Sequence, residues 1–74
     1  ISYEIPKESF VRISVYNLLG QKVENLVSNL HPAGYHNVMW NSMDMSGKSV
    51  SSGVYIYTIT AGDYHSAKKM ILIK

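Results

Sequence analysis

The run Val54-Tyr55-Ile56-Tyr57-Thr58-Ile59-Thr60 decides the reading of this chain. It is rich in β-branched and aromatic residues, which suit a pleated, half-buried surface, and it reads as the strongest strand present. The chain enters it from Ser51-Ser52-Gly53 and leaves through Ala61-Gly62-Asp63-Tyr64, which reads as a tight turn. A last strand then runs from about His65 to Lys74 and contains Met70-Ile71-Leu72-Ile73, apolar on both faces. One face of that run must meet a core, which leaves the other to meet something else.

The segments upstream repeat the same period of two. Asn41 to Ser49 is polar apart from two Met, and Asp44-Met45-Ser46-Gly47 has Asp first and Gly fourth, as a type I turn favours, so this is a loop. Tyr35 to Trp40 alternates, with His36, Val38 and Trp40 on one face and Trp40 as the natural core anchor. Ser28 to Gly34, with Asn29 and Pro32, reads as a connection. Phe10 to Tyr16 turns Val11, Ile13 and Val15 one way and Arg12 and Ser14 the other. Asn17-Leu18-Leu19-Gly20 then reverses the chain into Gln21 to Val27, a hairpin. Ile1 to Ile5 alternates and stops at Pro6, ahead of a short turn through Lys7-Glu8-Ser9. No window carries a sustained helical stripe. The expected fold is all-β, an immunoglobulin-like antiparallel β-sandwich of about seven short strands, with residues 1–74 as one domain.

Size and composition exclude several classes of function. A chain of 74 residues buries roughly 60% of the surface its unfolded form exposes, too little to enclose a deep active site. Its 46% apolar and 16% charged residues argue against disorder. The net charge of +2 is scattered, and only Lys68-Lys69 are adjacent cations, so nucleic acid is not an expected partner. There is no cysteine, which removes disulfides, thiolate nucleophiles and Cys-based metal sites. No apolar stretch approaches the roughly 18 residues that span a bilayer, and the first residues lack the order of a signal peptide, so any export signal lies outside this chain. Ile1 in place of an initiator Met leads us to expect a piece of a longer parent, and Lys74, directly after an apolar strand, suits a native C-terminus.

Chemistry-bearing residues are present without a chemical pattern. His31, His36 and His65 lack the spacing of a helical metal pair, and His36 reads as a packed, hydrogen-bonded core-edge residue. Ser42, Asp44, Ser46 and Gly47 echo the start of a calcium loop, yet Gly53 stands where a bidentate Glu is required. No nucleophile elbow occurs, and Glu4, Glu8, Glu24, Asp44 and Asp63 sit mostly at turns or on polar faces. Neither enzymatic activity nor a cofactor is expected. Trp40, Tyr55 and Tyr57 offer a rival reading as a platform for sugars. That reading gains if Tyr3, Tyr35 and Tyr64 share one flat exposed face.

Four segments in one order resemble a known family. Val15-Tyr16-Asn17-Leu18-Leu19-Gly20-Gln21-Lys22-Val23 is similar to a strand-turn-strand of the form Y-(D/N)-x-x-G-(R/Q)-x-V. Pro32-Ala33-Gly34-Tyr35-His36-Asn37-Val38-Met39-Trp40 is similar to A-G-x-H-x-V-x-W. Gly47 to Tyr57 resembles G-x-x-V-x-S-G-x-Y-x-Y, and Lys69-Met70-Ile71-Leu72-Ile73-Lys74 resembles the ending K-M-x-L-x-K. Together they resemble the type A C-terminal sorting domain of type IX secretion, an immunoglobulin-like sandwich related to the flagellar hook-capping Ig-like module. The family's opening Pro-Asn-Pro is absent, and its W-D-G stands here as Trp40-Asn41-Ser42.

The resemblance implies a non-catalytic address label that directs an upstream exported passenger across the outer membrane. The implied partners are the outer-membrane secretion translocon and a sortase-like peptidase, and the implied location is the periplasm in transit, then the cell surface or medium. The sorting-signal residues that it implies are Gly53, Tyr55, Lys68, Lys69, Met70, Ile71, Leu72, Ile73 and Lys74. A strand with an apolar outer face between lysines suits strand addition to a receptor, while Lys68 and Lys69 equally suit protection of a sheet edge. A structural spacer inside a larger assembly is the third reading.

Overall fold

The computed structural model describes residues 1–74 as six strands and no helix. They are β1 (Ser2–Ile5), β2 (Ser9–Tyr16), β3 (Lys22–His31), β4 (Gly34–Asn37), β5 (Gly53–Ala61) and β6 (Tyr64–Leu72). β1 pairs with β4 in a two-stranded sheet, and the other four form a sheet in the order β3-β2-β5-β6, with every pairing antiparallel. This is the expected two-sheet sandwich with six strands in place of about seven.

Three strand ends differ by two or more residues from the reading of the sequence, among them that of the last strand, which stops at Leu72 and not at Lys74. Ser28 to His31, read as a connection, extends β3 because Ser9, Phe10, Val11 and Arg12 of β2 continue to offer it ladder partners. The strand read from Tyr35 to Trp40 is a strand only from Gly34 to Asn37, which lies opposite Ser2. Val38 still donates its N–H to the Ile1 carbonyl at 2.8 Å, and beyond it the chain leaves the sheet.

Both hairpin turns follow from their residues. The Asn17 side-chain oxygen accepts the N–H groups of Leu19 (2.9 Å) and Gln21 (3.0 Å), and Gly20 supplies the positive φ of +82° that closes the turn. At the other end Gly62 and Asp63 join the facing pair Ala61 and Tyr64, with Gly62 at φ +61° in the first central position, the type II′ pattern.

The core lies on the inner face of the four-stranded sheet in two parts. Val11, Ile13 and Val15 of β2 are wholly buried, as the alternation requires. Val11 and Ile13 join Ile5, Val27, Ile59 and Ala61 under the two-stranded sheet. Val15 joins Val23 and Tyr55 under Trp40 and Val50, so that the loop between β4 and β5 covers this half in place of a further strand. The loop is fastened to β3 by Met45 N–H to the Val23 carbonyl (2.9 Å) and closed on itself by Val50 N–H to the Ser42 carbonyl (2.9 Å). Such a cover is thin: the accessible surface of 5073 Å² exceeds the about 4600 Å² expected for a folded chain of this mass.

Ser14 is the one buried polar residue, although alternation places it on the outer face. Its neighbours on that face are Thr58 of β5 and Asn25 of β3, and its Oγ lies 3.4 Å from the Asn25 amide. The register of β3 shifts there and again beside Val15, so Leu26 and Val23 lack a facing residue in β2. These bulges let Leu26 as well as Val27 reach the core.

Candidate functional site

The residues singled out from the resemblance come from two distant stretches that the fold makes neighbours. Gly53 faces Leu72, Tyr55 faces Met70, Ile56 faces Lys69 and Tyr57 faces Lys68 across the β5-β6 ladder. The apolar run splits as its period demands. Met70 and Leu72 turn inward onto the part of the core formed by Val15, Val23 and Tyr55. Ile71 is 67% exposed on the opposite face, and Ile73 is 85% exposed just beyond the strand.

Tyr55 belongs to the core. Its ring packs T-shaped with that of Trp40, and its hydroxyl donates to the Ser51 carbonyl at 2.7 Å. Lys68 lies on the inward side of β6 and remains exposed, while Lys69 points outward. Lys74 closes the end of the chain: its N–H donates to Ser52 Oγ at 3.0 Å, and its ammonium reaches Ser49 Oγ. β5, β6 and the loop before β5 therefore form one unit.

β6 is an edge, and its two sides differ. One is laddered to β5 through nine consecutive residue pairs without a bulge. The other leaves a row of backbone N–H and C=O groups with no neighbouring strand. The opposite edge, β3, is broken by its two register shifts and partly covered where Met45 bonds Val23. The long, regular free edge of the four-stranded sheet is β6.

On the outer face of the same sheet, Lys22, Tyr16, Ile56 and Lys69 stand in one row across all four strands, with Val54 and Ile71 paired beside them. The two-stranded sheet packs on the other side. Nothing in the chain covers this apolar strip, and lysines close it at both ends. At the hairpin tip Leu18 and Leu19 are 67% and 84% exposed.

His31 and His36, which their sequence separation gave no reason to join, lie with ring centroids 4.6 Å apart where the two sheets meet, and Tyr3 stacks on His36. His36 Nε2 bonds the Pro32 carbonyl at 2.7 Å, and Tyr3 OH is 3.2 Å from His31 Nδ1. This is the packed, hydrogen-bonded role expected of His36. The extension of β3 to His31 was the missing information. No three His, Asp or Glu side chains lie close enough to share a metal ion.

Asp44 is committed to its own turn. Its Oδ1 accepts from Ser46 Oγ (2.8 Å), Ser46 N–H (3.0 Å) and Lys48 N–H (3.0 Å). Of these, the Ser46 hydroxyl does most to hold its carboxyl below the usual carboxylate value. The aromatic residues form no common platform. Tyr3 and Tyr35 occupy opposite faces of the two-stranded sheet, since their β-ladder partners, His36 and Glu4, alternate. Tyr64 stands on the other sheet beside the β5-β6 turn. The largest hollow, about 590 Å³, lies at that same end, open and lined by Ile5, Pro6, Ala61 and Tyr64 among polar neighbours.

Comparison with known families agrees with this architecture. Residues 3–64 match the family described as FlgD Ig-like domain, a span running from β1 to the start of β6. No curated protein and no solved structure matches the chain. With most of its length matched and two antiparallel sheets packed as a sandwich, the chain belongs to the FlgD Ig-like domain family.

Proposed function

We propose that this domain is a non-catalytic sorting module, which directs an upstream exported passenger through the outer membrane for secretion or surface attachment. One observation carries the reading. The last strand is pinned to the core by Met70 and Leu72 yet offers a free edge, with Ile71 and Ile73 in solvent and Lys68, Lys69 and Lys74 around them. A receptor reading such a strand recognises a folded domain by its edge, through backbone hydrogen bonds and alternate side chains. The four motif-like segments, ending in Lys69 to Lys74, suggest the secretion translocon as that receptor and a sortase-like peptidase as the next partner.

The test fuses the chain to a periplasm-directed fluorescent reporter in a bacterium with type IX secretion. Deleting Lys68 to Lys74 would also remove Met70 and Leu72 from the core, so the informative variants are Ile71→Thr with Ile73→Ser, which leave the core untouched. Reporter at the surface with the native chain, and its loss with these variants, is the expected result. A native fusion that stays periplasmic while folded overturns the reading. It would favour the second one, an Ig-like structural domain within a larger assembly, which the family membership supports by itself.

A further inference from the structure

We infer that β6 is completed by an extended segment of a partner protein in which three apolar residues are followed by two carboxylates, added antiparallel to the free edge. The inference rests on the reading of β6 as the recognised strand and names the chemistry of what recognises it. An added strand brings its side chains opposite those of β6. Positions opposite Leu72 and Met70 fall on the core side, beside the part containing Val15 and Tyr55. The position opposite Ile71 extends the outer pair of Val54 and Ile71. The next two lie opposite Lys69, at the end of the outer row, and Lys68, on the inward side.

Charge selects the occupant. Residues 64–74 contain Lys68, Lys69, Lys74 and His65 and no Asp or Glu, so a second copy of β6 brings no carboxylate to either lysine. Opposed like charges destabilise a strand pair, whereas opposite charges contribute to it. Edge protection by lysines explains Lys68 and Lys69. It leaves unexplained the uncovered Ile71 and the absence of any bulge in the β5-β6 ladder.

The experiment measures amide hydrogen exchange by NMR on the 74-residue chain with a short synthetic peptide, valine-isoleucine-valine-glutamate-glutamate flanked by threonines. Added protection should be confined to the β6 amides that face away from β5. Lys68→Glu combined with Lys69→Glu should weaken binding by about tenfold or more, and a peptide with lysines for its glutamates should restore it on that variant. The rescue keeps the test decisive even if charge reversal perturbs the free chain. No added protection, protection on β3 or on the outer sheet face, or equal binding of the order-reversed peptide overturns the inference. A native chain whose β6 the peptide protects, but which exports no reporter, upholds this inference and removes the sorting reading; export without protection does the reverse.

Discussion

Trp40 and Tyr55 form a T-shaped pair, with ring centroids 5.1 Å apart and planes at 72°, and each sends its polar atom to a backbone carbonyl. Trp40 Nε1 donates to the Met43 carbonyl at 2.9 Å and Tyr55 OH to that of Ser51 at 2.7 Å. The pair thus ties the loop that replaces a strand to the four-stranded sheet. Trp40→Ala should cost about 2–4 kcal/mol, a large part of the stability of so small a domain. Tyr55→Phe, which removes only the hydroxyl, should cost about 1 kcal/mol. Urea unfolding followed by circular dichroism separates the two values.

β6 should respond to mutation with the period of its alternation. Met70→Ala opens the core beside Val15 and Tyr55 and should cost about 2 kcal/mol. Ile71→Ala, on the exposed face, should stay within about 0.5 kcal/mol. Equal losses in thermal unfolding would mean that Ile71 is covered in the free domain.

The Asp44 turn supplies a pH signature. Its carboxyl titrates below the ordinary value of 3.8, so its contribution to stability is full above that pH and is lost as pH falls through the lower, folded value. Ser46→Ala removes the strongest of the bonds that lower it and should move the titration of Asp44 upward. NMR titration of the side-chain carboxyl reads this directly.

Tyr3 acts at the alkaline end. Burial raises its phenol above the ordinary 10.0, so the neutral ring contributes stability below that pH, and the contribution fades as pH rises through the folded value. Tyr3→Phe should flatten the alkaline limb of a stability-pH profile. An unchanged limb would assign the effect to another tyrosine.

Gly20→Ala should destabilise by about 1 kcal/mol. No atom lies within 4 Å of the added Cβ, so the loss comes from the backbone at φ +82° alone. Gly20→Asn, which tolerates this conformation better, should recover part of it in the same unfolding assay.

The β2-β3 hairpin was legible because its determinants are local: Asn17 bonds groups two and four residues on, and Gly20 fits a conformation few residues adopt. The inward face of β2 was legible for a similar reason, since Val11, Ile13 and Val15 alternate with shorter or charged neighbours. Ser14 misled because its burial comes from strands on both sides and from a bulge in β3 that no periodicity marks. The meeting of His31 and His36 was hidden because it depends on how far β3 runs before the chain crosses to the other sheet.

The same division holds for the candidate site. The sequence alone determined that Met70 to Ile73 is two-sided and cationic at its flanks, because strand period and residue type are local properties. Only the tertiary structure decided that β6 is an edge, that Met70 and Leu72 are its inward side, and that the opposite edge is bulged and partly covered. Strand order and bulges arise from pairings between residues far apart in the chain, chosen by which apolar faces can be buried together. In this chain β3 and β6 became the two edges of the four-stranded sheet, and only β6 was left regular and free.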